Sequence, residues 1–217
     1  MSHLELQRRG ILCAVSGPSG SGKTTLCRRF SGEDSSAVYA TSATTRALRE
    51  GEKDGEDYFF LSRENFESRA TRGEFLEYAE VHGNLYGTLK SEVLTHINAG
   101  RDVLMDIDVQ GAALIRKNPD PAIAEALVDI FILLPGEEEL LNRLAVRGTE
   151  TDDQVELRLQ NAREEMRHWS DYHYTVISAD KETDFASFSA IIAGERCRST
   201  RLAPSKETVA KHSELGL

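Results

Sequence analysis

The side chains best suited to chemistry in this chain lie in a glycine-rich segment near its start, Gly17-Pro18-Ser19-Gly20-Ser21-Gly22-Lys23-Thr24. The segment matches the pattern G-x-x-x-x-G-K-[ST], and it follows an apolar run over residues 11–15 that predicts a buried strand. A strand, a glycine-rich turn and a helix opening at Lys23 form an arrangement that cradles phosphate, because several backbone N–H groups converge on one anion. In that arrangement Lys23 reaches the β and γ phosphates and the Thr24 hydroxyl holds Mg²⁺. The segment therefore predicts a nucleoside triphosphate site and leaves open what receives the phosphate.

Two carboxylates, Asp106 and Asp108, end the apolar strand predicted over residues 101–108. Alternation along a strand would place both on the same side, where two like charges need a cation nearby. In phosphate-loop enzymes a carboxylate at such a strand end serves Mg²⁺, directly or through water. Asp106 and Thr24 are therefore the candidate metal residues. Solvated aspartates at a strand end are the alternative.

Two sets of arginines could bind phosphate oxygens through their planar, forked donors. Arg46 and Arg49 are three residues apart after a short strand, and a monophosphate acceptor would need two such groups. Arg143 and Arg147 are four apart on one predicted helix face, and Arg158 lies on the following helix. A segment carrying such arginines is typical of a lid that closes over a transferring phosphoryl group. Charged helix faces with no such role are the alternative.

A sheet must position these residues, and the pattern along the chain alternates strands with helices. The predicted strands cover residues 11–16, 38–41, 58–61, 75–81, 101–108, 130–134 and 175–178. The predicted helices begin at Lys23, Arg63, Ser91, Glu137, Asp152 and Phe185, with Ser62 and Thr151 as N-caps. Such an alternation predicts an α/β fold with a parallel sheet covered on both faces and ligands at the carboxyl ends of its strands. Beyond Leu202 the chain is polar and aperiodic, which predicts a frayed tail.

The composition fits one well-buried domain and argues against several classes of protein. The 217 residues are 40 % hydrophobic and 29 % charged, and the net charge is −10, which argues against a protein that grips nucleic acid backbone. No stretch approaches the roughly 20 apolar residues of a membrane span, and residues 1–9 lack the apolar region of a secretory signal. Cys13, Cys27 and Cys197 have no metal-binding spacing. We expect a cytoplasmic protein with reduced thiols, without nucleic acid or membrane partners.

Taken together, several motifs resemble those of guanylate kinases. Two of them, T-T-R-x-x-R and G-N-x-Y-G-[ST], are specific to that family in combination. The matching stretches run in the family's order, within residues 10 to about 198, and they are residues 16–24, 42–49, 77–88, 106–111 and 147–150.

The resemblance implies an ATP-dependent transfer of phosphate to GMP and dGMP, with Mg²⁺. It implies the P-loop three-layer α/β sandwich over residues 10–202, with a GMP-binding arm of mixed β and α structure at about 42–98. It further implies a helical lid at about 137–167 and leaves residues 203–217 as a polar tail. ATP and GMP are the implied small-molecule partners, and the oligomeric state, monomer or homo-oligomer, stays open.

The resemblance also assigns roles by motif position. The implied ATP-binding residues are Gly17, Pro18, Ser19, Gly20, Ser21, Gly22, Lys23, Thr24 and Thr25. Arg46, Arg49, Tyr58 and Tyr86 would take the phosphate of GMP, and Ser42, Glu77, Thr88 and Asp108 would take its base. Lys23, Arg46, Arg147 and Arg158 are the implied catalytic residues, and Thr24 and Asp106 the implied metal residues.

Two residues, Glu77 and Ala179, bear on which base each substrate site selects. Guanine presents N1–H and its amino group side by side, and the two oxygens of Glu77 can accept from both, whereas adenine would leave this carboxylate unpaired. On the donor side, Ala179 stands where the family commonly carries an asparagine near the adenine. We therefore expect loose selectivity for ATP among nucleotide donors.

Two further interpretations stay open at this point. A guanylate-kinase-like interaction module would keep the fold without catalysis, but such modules typically have a degraded phosphate loop, and Lys23, Thr24 and Asp106 are all present here. A phosphate-loop kinase could instead act on another small phosphorylated acceptor. A base-free sugar would not need Glu77, so the sequence favours guanine.

Overall fold

The structure is a computed structural model, and it describes residues 6–81, 83–136, 139–141, 143 and 152–204, the side chains of 152–155 excepted. In chain order the strands within these ranges are β1 (Leu6–Arg8), β2 (Leu12–Ser16), β3 (Ala37–Tyr39), β4 (Ala43–Thr44), β5 (Phe59–Phe60), β6 (Phe75–Val81), β7 (Asn84–Leu89), β8 (Asp102–Asp106), β9 (Leu127–Leu133), β10 (Tyr174–Ile177) and β11 (Leu202–Pro204). The helices are α1 (Lys23–Glu33), α2 (Arg63–Thr71), α3 (Lys90–Asn98), α4 (Val109–Arg116), α5 (Pro121–Ala126), α6 (Asp152–Met166) and α7 (Lys181–Arg196).

Five parallel strands form the central sheet, in the order β10-β9-β2-β8-β3. Because β2 lies in the middle, all of its side chains are buried, and alternate residues enter different cores. Cys13 and Val15 pack with residues of α1 and α7, such as Phe30 and Phe188. On the other face Leu12 and Ala14 pack with residues of α3, α4 and α5, such as Ile97. The predicted parallel sheet covered on both faces is confirmed.

A second, smaller sheet contains four strands in the order β5-β4-β7-β6. Strands β6 and β7 form an antiparallel hairpin, and Gly83 in its turn has a φ of 79°, a value that favours glycine. Five buried residues give this sheet a core of its own: Ala43, Phe66, Phe75, Leu85 and Leu89. We call this sheet with α2 the arm; it lies within the range where the sequence predicted a GMP-binding arm.

The structure corrects the sequence-based prediction near the C-terminal end of the described residues. The frayed tail was predicted from residue 203, but Ala203 and Pro204 belong to β11, which pairs antiparallel with β1. The backbone N–H of Arg9 also donates to the carbonyl of Arg201 (2.8 Å). A three-residue strand has too few positions to show a period, so this pairing left no pattern to find. Within the described ranges, no helix combines the length and apolar character that crossing a membrane needs.

Candidate active site

The phosphate loop connects β2 to α1, and its shape depends on glycine. Gly17, Gly20 and Gly22 have φ values of 148°, 84° and 90°, which other residues rarely adopt. A Cβ on Gly17 would also lie 2.4 Å from the carbonyl oxygen of Ile132 on β9, so the loop passes too close to the sheet for any side chain. The loop ends at the N-terminus of α1, whose first backbone N–H groups are available to an anion.

The Lys23 side chain curls back over the phosphate loop. Its ammonium group donates to the carbonyl oxygens of Gly17 (2.6 Å) and Pro18 (3.0 Å). Burial lowers the pKa of Lys23, and the carboxylates of Glu165 and Asp106 oppose that shift. The lysine therefore lies over the loop where a phosphate would sit, with acidic groups around it.

The side chains of Thr24 and Asp106 meet across the sheet edge, as the sequence predicted. The Thr24 hydroxyl donates to one carboxylate oxygen of Asp106 (2.6 Å), and the Tyr39 hydroxyl donates to the other. The guanidinium of Arg28 lies 4.5 Å from the centre of the Tyr39 ring. A hydroxyl and a carboxylate side by side are ligands that suit Mg²⁺, which usually takes one or two protein oxygens and completes its shell with water and substrate phosphate. This donor set fits a magnesium ion.

Asp108 does not lie on the strand with Asp106, contrary to the alternation argument. Strand β8 ends at Asp106, and Asp108 is the N-cap of α4, where its carboxylate accepts from the N–H of Gly111 (2.7 Å). Burial raises the pKa of Glu77, which lies on the arm, and the charge of Asp108 adds to that rise. Asp106 thus bonds to Thr24 at the phosphate loop, while the charge of Asp108 acts on Glu77 of the arm and also on Lys23 of the loop.

The base end of the predicted GMP site lies on the β6–β7 hairpin. Glu77 pairs with Thr88 in the register of these strands, beside an irregularity between Phe75 and Glu77. Burial is the largest cause that raises the pKa of Glu77, and hydrogen bonding with Thr88 opposes it. Ser42, half-buried before β4, accepts the N–H of Phe59 on its carbonyl oxygen (2.9 Å). The hairpin therefore brings Glu77 and Thr88 together with Asp108.

The phosphate end of the predicted GMP site is a group of aromatic and cationic side chains. Arg46 forms a two-pronged ion pair with Glu52, with N–O distances of 2.7 and 3.0 Å. Its guanidinium lies 5.4 Å from the ring centre of Tyr58, and the Tyr58 and Tyr86 rings meet edge to face at 6.1 Å. The Arg49 side chain is exposed. Arg46, Tyr58 and Tyr86 are thus close neighbours, as the sequence predicted.

The predicted lid is described only in part. Arg147 lies outside the described residues, as does Thr151. Arg158 is half-buried on α6. Arg143 donates to the Ser178 hydroxyl (3.0 Å), and its Cβ lies 3.5 Å from where a Cβ on Gly20 would be. This arginine therefore connects the phosphate loop with the end of β10.

Three residues near the site escaped sequence reasoning: Tyr39, Glu52 and Glu165. Tyr39 was only a strand residue, Glu52 lay in a polar stretch, and Glu165 lay on a charged helix. Burial raises the pKa of Glu165, and Lys23 opposes that rise. None of the three belongs to a local motif, so only the folded chain reveals their partners.

The chain is similar to known proteins over most of its length. The family model described as guanylate kinase matches residues 9–194. A guanylate kinase of Chelativorans sp. is 43 % identical over 206 residues, which are 94 % of this chain and 92 % of the relative. One of Clostridioides difficile is 41 % identical over 194 residues, 89 % of this chain and 92 % of the relative. The crystal structure of guanylate kinase from Anaplasma phagocytophilum superposes with a TM-score of 0.69 at 32 % identity, covering 92 % of this chain and 93 % of that one.

Proposed function

This chain belongs to the guanylate kinase family, whose reaction is the ATP-dependent phosphorylation of GMP to GDP, and we propose how its own residues divide that reaction between them. The observation that carries the proposal is the position of Asp106 and Asp108 between the phosphate loop and the arm. Asp106 accepts from Thr24 at the end of the phosphate loop (2.6 Å), and the charge of Asp108 acts on both Glu77 of the arm and Lys23 of the loop. Two residues apart in the chain, they join a donor site to an acceptor site.

On the donor side, the phosphate loop and α1 bind the triphosphate of ATP through residues 17–25. Thr24 and Asp106 are the residues that would hold Mg²⁺, which supplies positive charge to the phosphate oxygens when it is bound. Tyr39 keeps the Asp106 carboxylate turned toward Thr24 because it occupies the second oxygen. Lys23, with its ammonium over the loop, stabilises the negative charge of the transferring phosphoryl group.

On the acceptor side, the arm binds the base and the phosphate of GMP at separate groups of residues. Glu77 accepts from N1–H and the amino group of guanine, and Ser42, Thr88 and Asp108 complete the base site. The phosphate is bound by Arg46, Arg49, Tyr58 and Tyr86. These contacts involve the base and the phosphate only, so dGMP is a substrate as well.

The transfer itself needs positioning and positive charge more than a strong base. Arg46 orients the acceptor phosphate, and Lys23, Arg147 and Arg158 supply positive charge that stabilises the transferring phosphoryl group. We place this reaction in the cytoplasm, in keeping with the three free cysteines, Cys13, Cys27 and Cys197.

A coupled assay of ADP formation with a panel of acceptors tests the proposal. With MgATP as donor, we expect turnover of GMP and dGMP and little turnover of AMP or UMP. Equal turnover of GMP and AMP would contradict the assigned role of Glu77. Binding of GMP without any turnover would indicate the interaction module instead. Removal of Mg²⁺ with a chelator should abolish ADP formation while leaving GMP binding in place.

A further inference from the structure

The carboxylate of Glu52, in the segment between β4 and β5, contacts both arginines proposed for the acceptor phosphate. One oxygen accepts from Nη2 of Arg46 (2.7 Å). The other accepts from Nη1 of Arg46 (3.0 Å) and from the backbone N–H of Arg49 (2.8 Å). The side chains of Arg46 and Glu52 are 13 % and 21 % exposed, so this pair is largely shielded from water, unlike an ordinary surface ion pair. A single carboxylate therefore ties a side chain and a main-chain segment together.

A turn in the backbone before Glu52 brings its carboxylate to Arg46 and Arg49. The N–H of Glu52 donates to the carbonyl of Arg49 (3.1 Å), which closes a four-residue turn. Gly51 occupies the third position of that turn with a φ of 88°, the sign that a type II turn requires there. The turn and the carboxylate bond are reciprocal: Glu52 donates to Arg49 through its backbone and accepts from it through its side chain.

The contacts of Arg46 leave one edge of its guanidinium for a ligand. An arginine has five N–H donors in a fixed plane. Two on Nη1 go to Glu52 and to the carbonyl of Ala47 (2.8 Å), and one on Nη2 goes to Glu52. The N–H of Nε and the second N–H of Nη2 take part in neither the Glu52 contacts nor the Ala47 contact, and they lie on the same edge of the guanidinium. Two donors side by side on one edge suit two phosphate oxygens.

We propose that Glu52 is a positioning residue for the acceptor phosphate, which fixes the guanidinium of Arg46 and the backbone of Arg49 before the substrate binds. The inference rests on the proposed function, because it presumes that these arginines take the phosphate of GMP. The opposite effect also has a physical basis. The carboxylate of Glu52 repels a nearby phosphate, so if repulsion dominates, removing the charge of Glu52 tightens the binding of GMP. The direction of the change in affinity decides between preorganisation and repulsion.

Hydrogen bonds from Arg46 and from the Arg49 amide lower the pKa of Glu52, so the carboxylate is charged at neutral pH. In Glu52→Gln one oxygen becomes an amide donor, which cannot accept from either arginine. The chain offers a matched control four residues away. Glu56 is 67 % exposed and pairs with Lys53 at the surface (3.1 Å), so Glu56→Gln makes the same chemical change in the same segment without touching the arginines.

The experiment measures the dissociation constant of GMP by calorimetry, the inhibition constant of guanosine and the KM of ATP for the parent and both variants. In Glu52→Gln we expect GMP to bind about tenfold more weakly, which corresponds to losing one charge-assisted hydrogen bond. Guanosine carries no phosphate, so its inhibition constant should stay within about twofold, as should the KM of ATP. Glu56→Gln should match the parent in all three.

Three outcomes would overturn the inference. Unchanged or tighter binding of GMP by Glu52→Gln would show that orientation is not the dominant effect. An equal loss for GMP and guanosine would show a general disturbance of the arm. A parent that neither binds nor phosphorylates GMP would overturn the proposed function and this inference together. With a parent active on GMP, either of the first two outcomes would overturn the inference alone.

Discussion

The phosphate loop rests on the middle strand of the large sheet, whereas the residues proposed for GMP lie on a small sheet with a separate core. All five residues of β2 are buried, and the loop after it contacts the backbone of β9 closely enough to exclude a Cβ at Gly17. The arm has five buried residues in its core. The donor half is thus fixed by the main body of the protein, and the acceptor half by local packing in the arm.

The two halves also differ in which atoms form the site. On the donor side, the phosphate site is formed mainly by main-chain N–H groups in a loop shaped by glycines. One contiguous motif therefore encodes this site. On the acceptor side, charged and aromatic side chains from β6, β7 and the loops must converge. Side chains need partners to hold them, which is why Arg46 is paired with Glu52. We therefore expect substitutions in the arm to change the kinetics of GMP more than those of ATP.

Replacement of Lys23 by methionine should give the largest effect. Its ammonium lies on the carbonyls of the phosphate loop, and loss of one such charge-stabilising group lowers kcat by about 10²–10⁴-fold, or about 3–5 kcal/mol in the barrier. Steady-state kinetics with saturating GMP would measure the loss. Lys53→Met is the control because Lys53 is 69 % exposed and pairs only with Glu56 among the described residues. Near-normal turnover of Lys23→Met would contradict the donor assignment.

Replacement of Phe66 by alanine tests whether the arm depends on its own core. Phe66 is fully buried and stacks on Phe75 with ring centres 4.2 Å apart, so the loss of stability should be about 3–5 kcal/mol. Because the damage lies under β6 and β7, the KM of GMP should rise while the KM of ATP changes little. Phe188→Ala is the matched control, since Phe188 is equally buried but lies in the core of the central sheet.

Chemical denaturation of both phenylalanine variants, followed by kinetics at a temperature where each is folded, would make the comparison. If Phe188→Ala raises the KM of GMP as strongly as Phe66→Ala does, the arm is not a separately packed unit.

Replacement of Glu77 by glutamine should weaken the use of GMP by about 1–3 kcal/mol, or roughly 5- to 150-fold in kcat/KM. The variant keeps one acceptor and loses the second, so one of the two guanine donors stays unpaired. The KM of ATP should stay unchanged because Glu77 lies on the arm. Glu80→Gln, on the same strand but exposed, is the control. An equal loss toward ATP and GMP would remove Glu77 from the base site.

The donor half could be predicted from sequence because its signals are contiguous: an apolar strand, three glycines with positive φ and a helix start. The position of Asp108 could not be predicted. The sequence pattern of a strand extends to residue 108, but the strand ends at Asp106 and Asp108 caps helix α4. Helix α4 was missed although it follows the strand directly. Its Gly111 weakens the helical pattern, but a Cβ there would lie 2.4 Å from the Ile107 side chain, so any larger residue would have to displace Ile107.

Helix α5 did carry a signal that went unused, an N-cap Asp120 followed by Pro121 at the first helical position. Glu52 had none. Its three hydrogen bonds depend on a turn at Gly51 and on where Arg46 points, and neither is visible in a run of polar residues. Ser62, by contrast, was predicted as an N-cap and accepts from the N–H of Asn65 (3.2 Å). Local signals therefore revealed caps such as Ser62, whereas a pair such as Arg46 and Glu52, of which one member lies in no motif, is visible only in the folded chain.

The smallest effect is expected at Ala179, beside the donor half. Its N–H donates to Asp184 (2.8 Å), and Ser178 donates to the same carboxylate (2.6 Å) while accepting from Arg143 (3.0 Å). The backbone here is therefore held, and the exposed Ala179 side chain has room for a larger group. Ala179→Asn should restore a polar contact with adenine and raise the ratio of kcat/KM for ATP over GTP about three- to tenfold, the effect of one neutral hydrogen bond.

Ala179→Leu, which has the size of asparagine without its amide, is the control and should leave the ATP-to-GTP ratio near that of the parent. A parent already strict for ATP would contradict the expectation of loose donor selectivity. If leucine changed the ratio as asparagine does, the effect would come from shape and not from hydrogen bonding. The expected difference is small because the donor half binds chiefly through the triphosphate, which ATP and GTP share, whereas the acceptor half must recognise guanine itself.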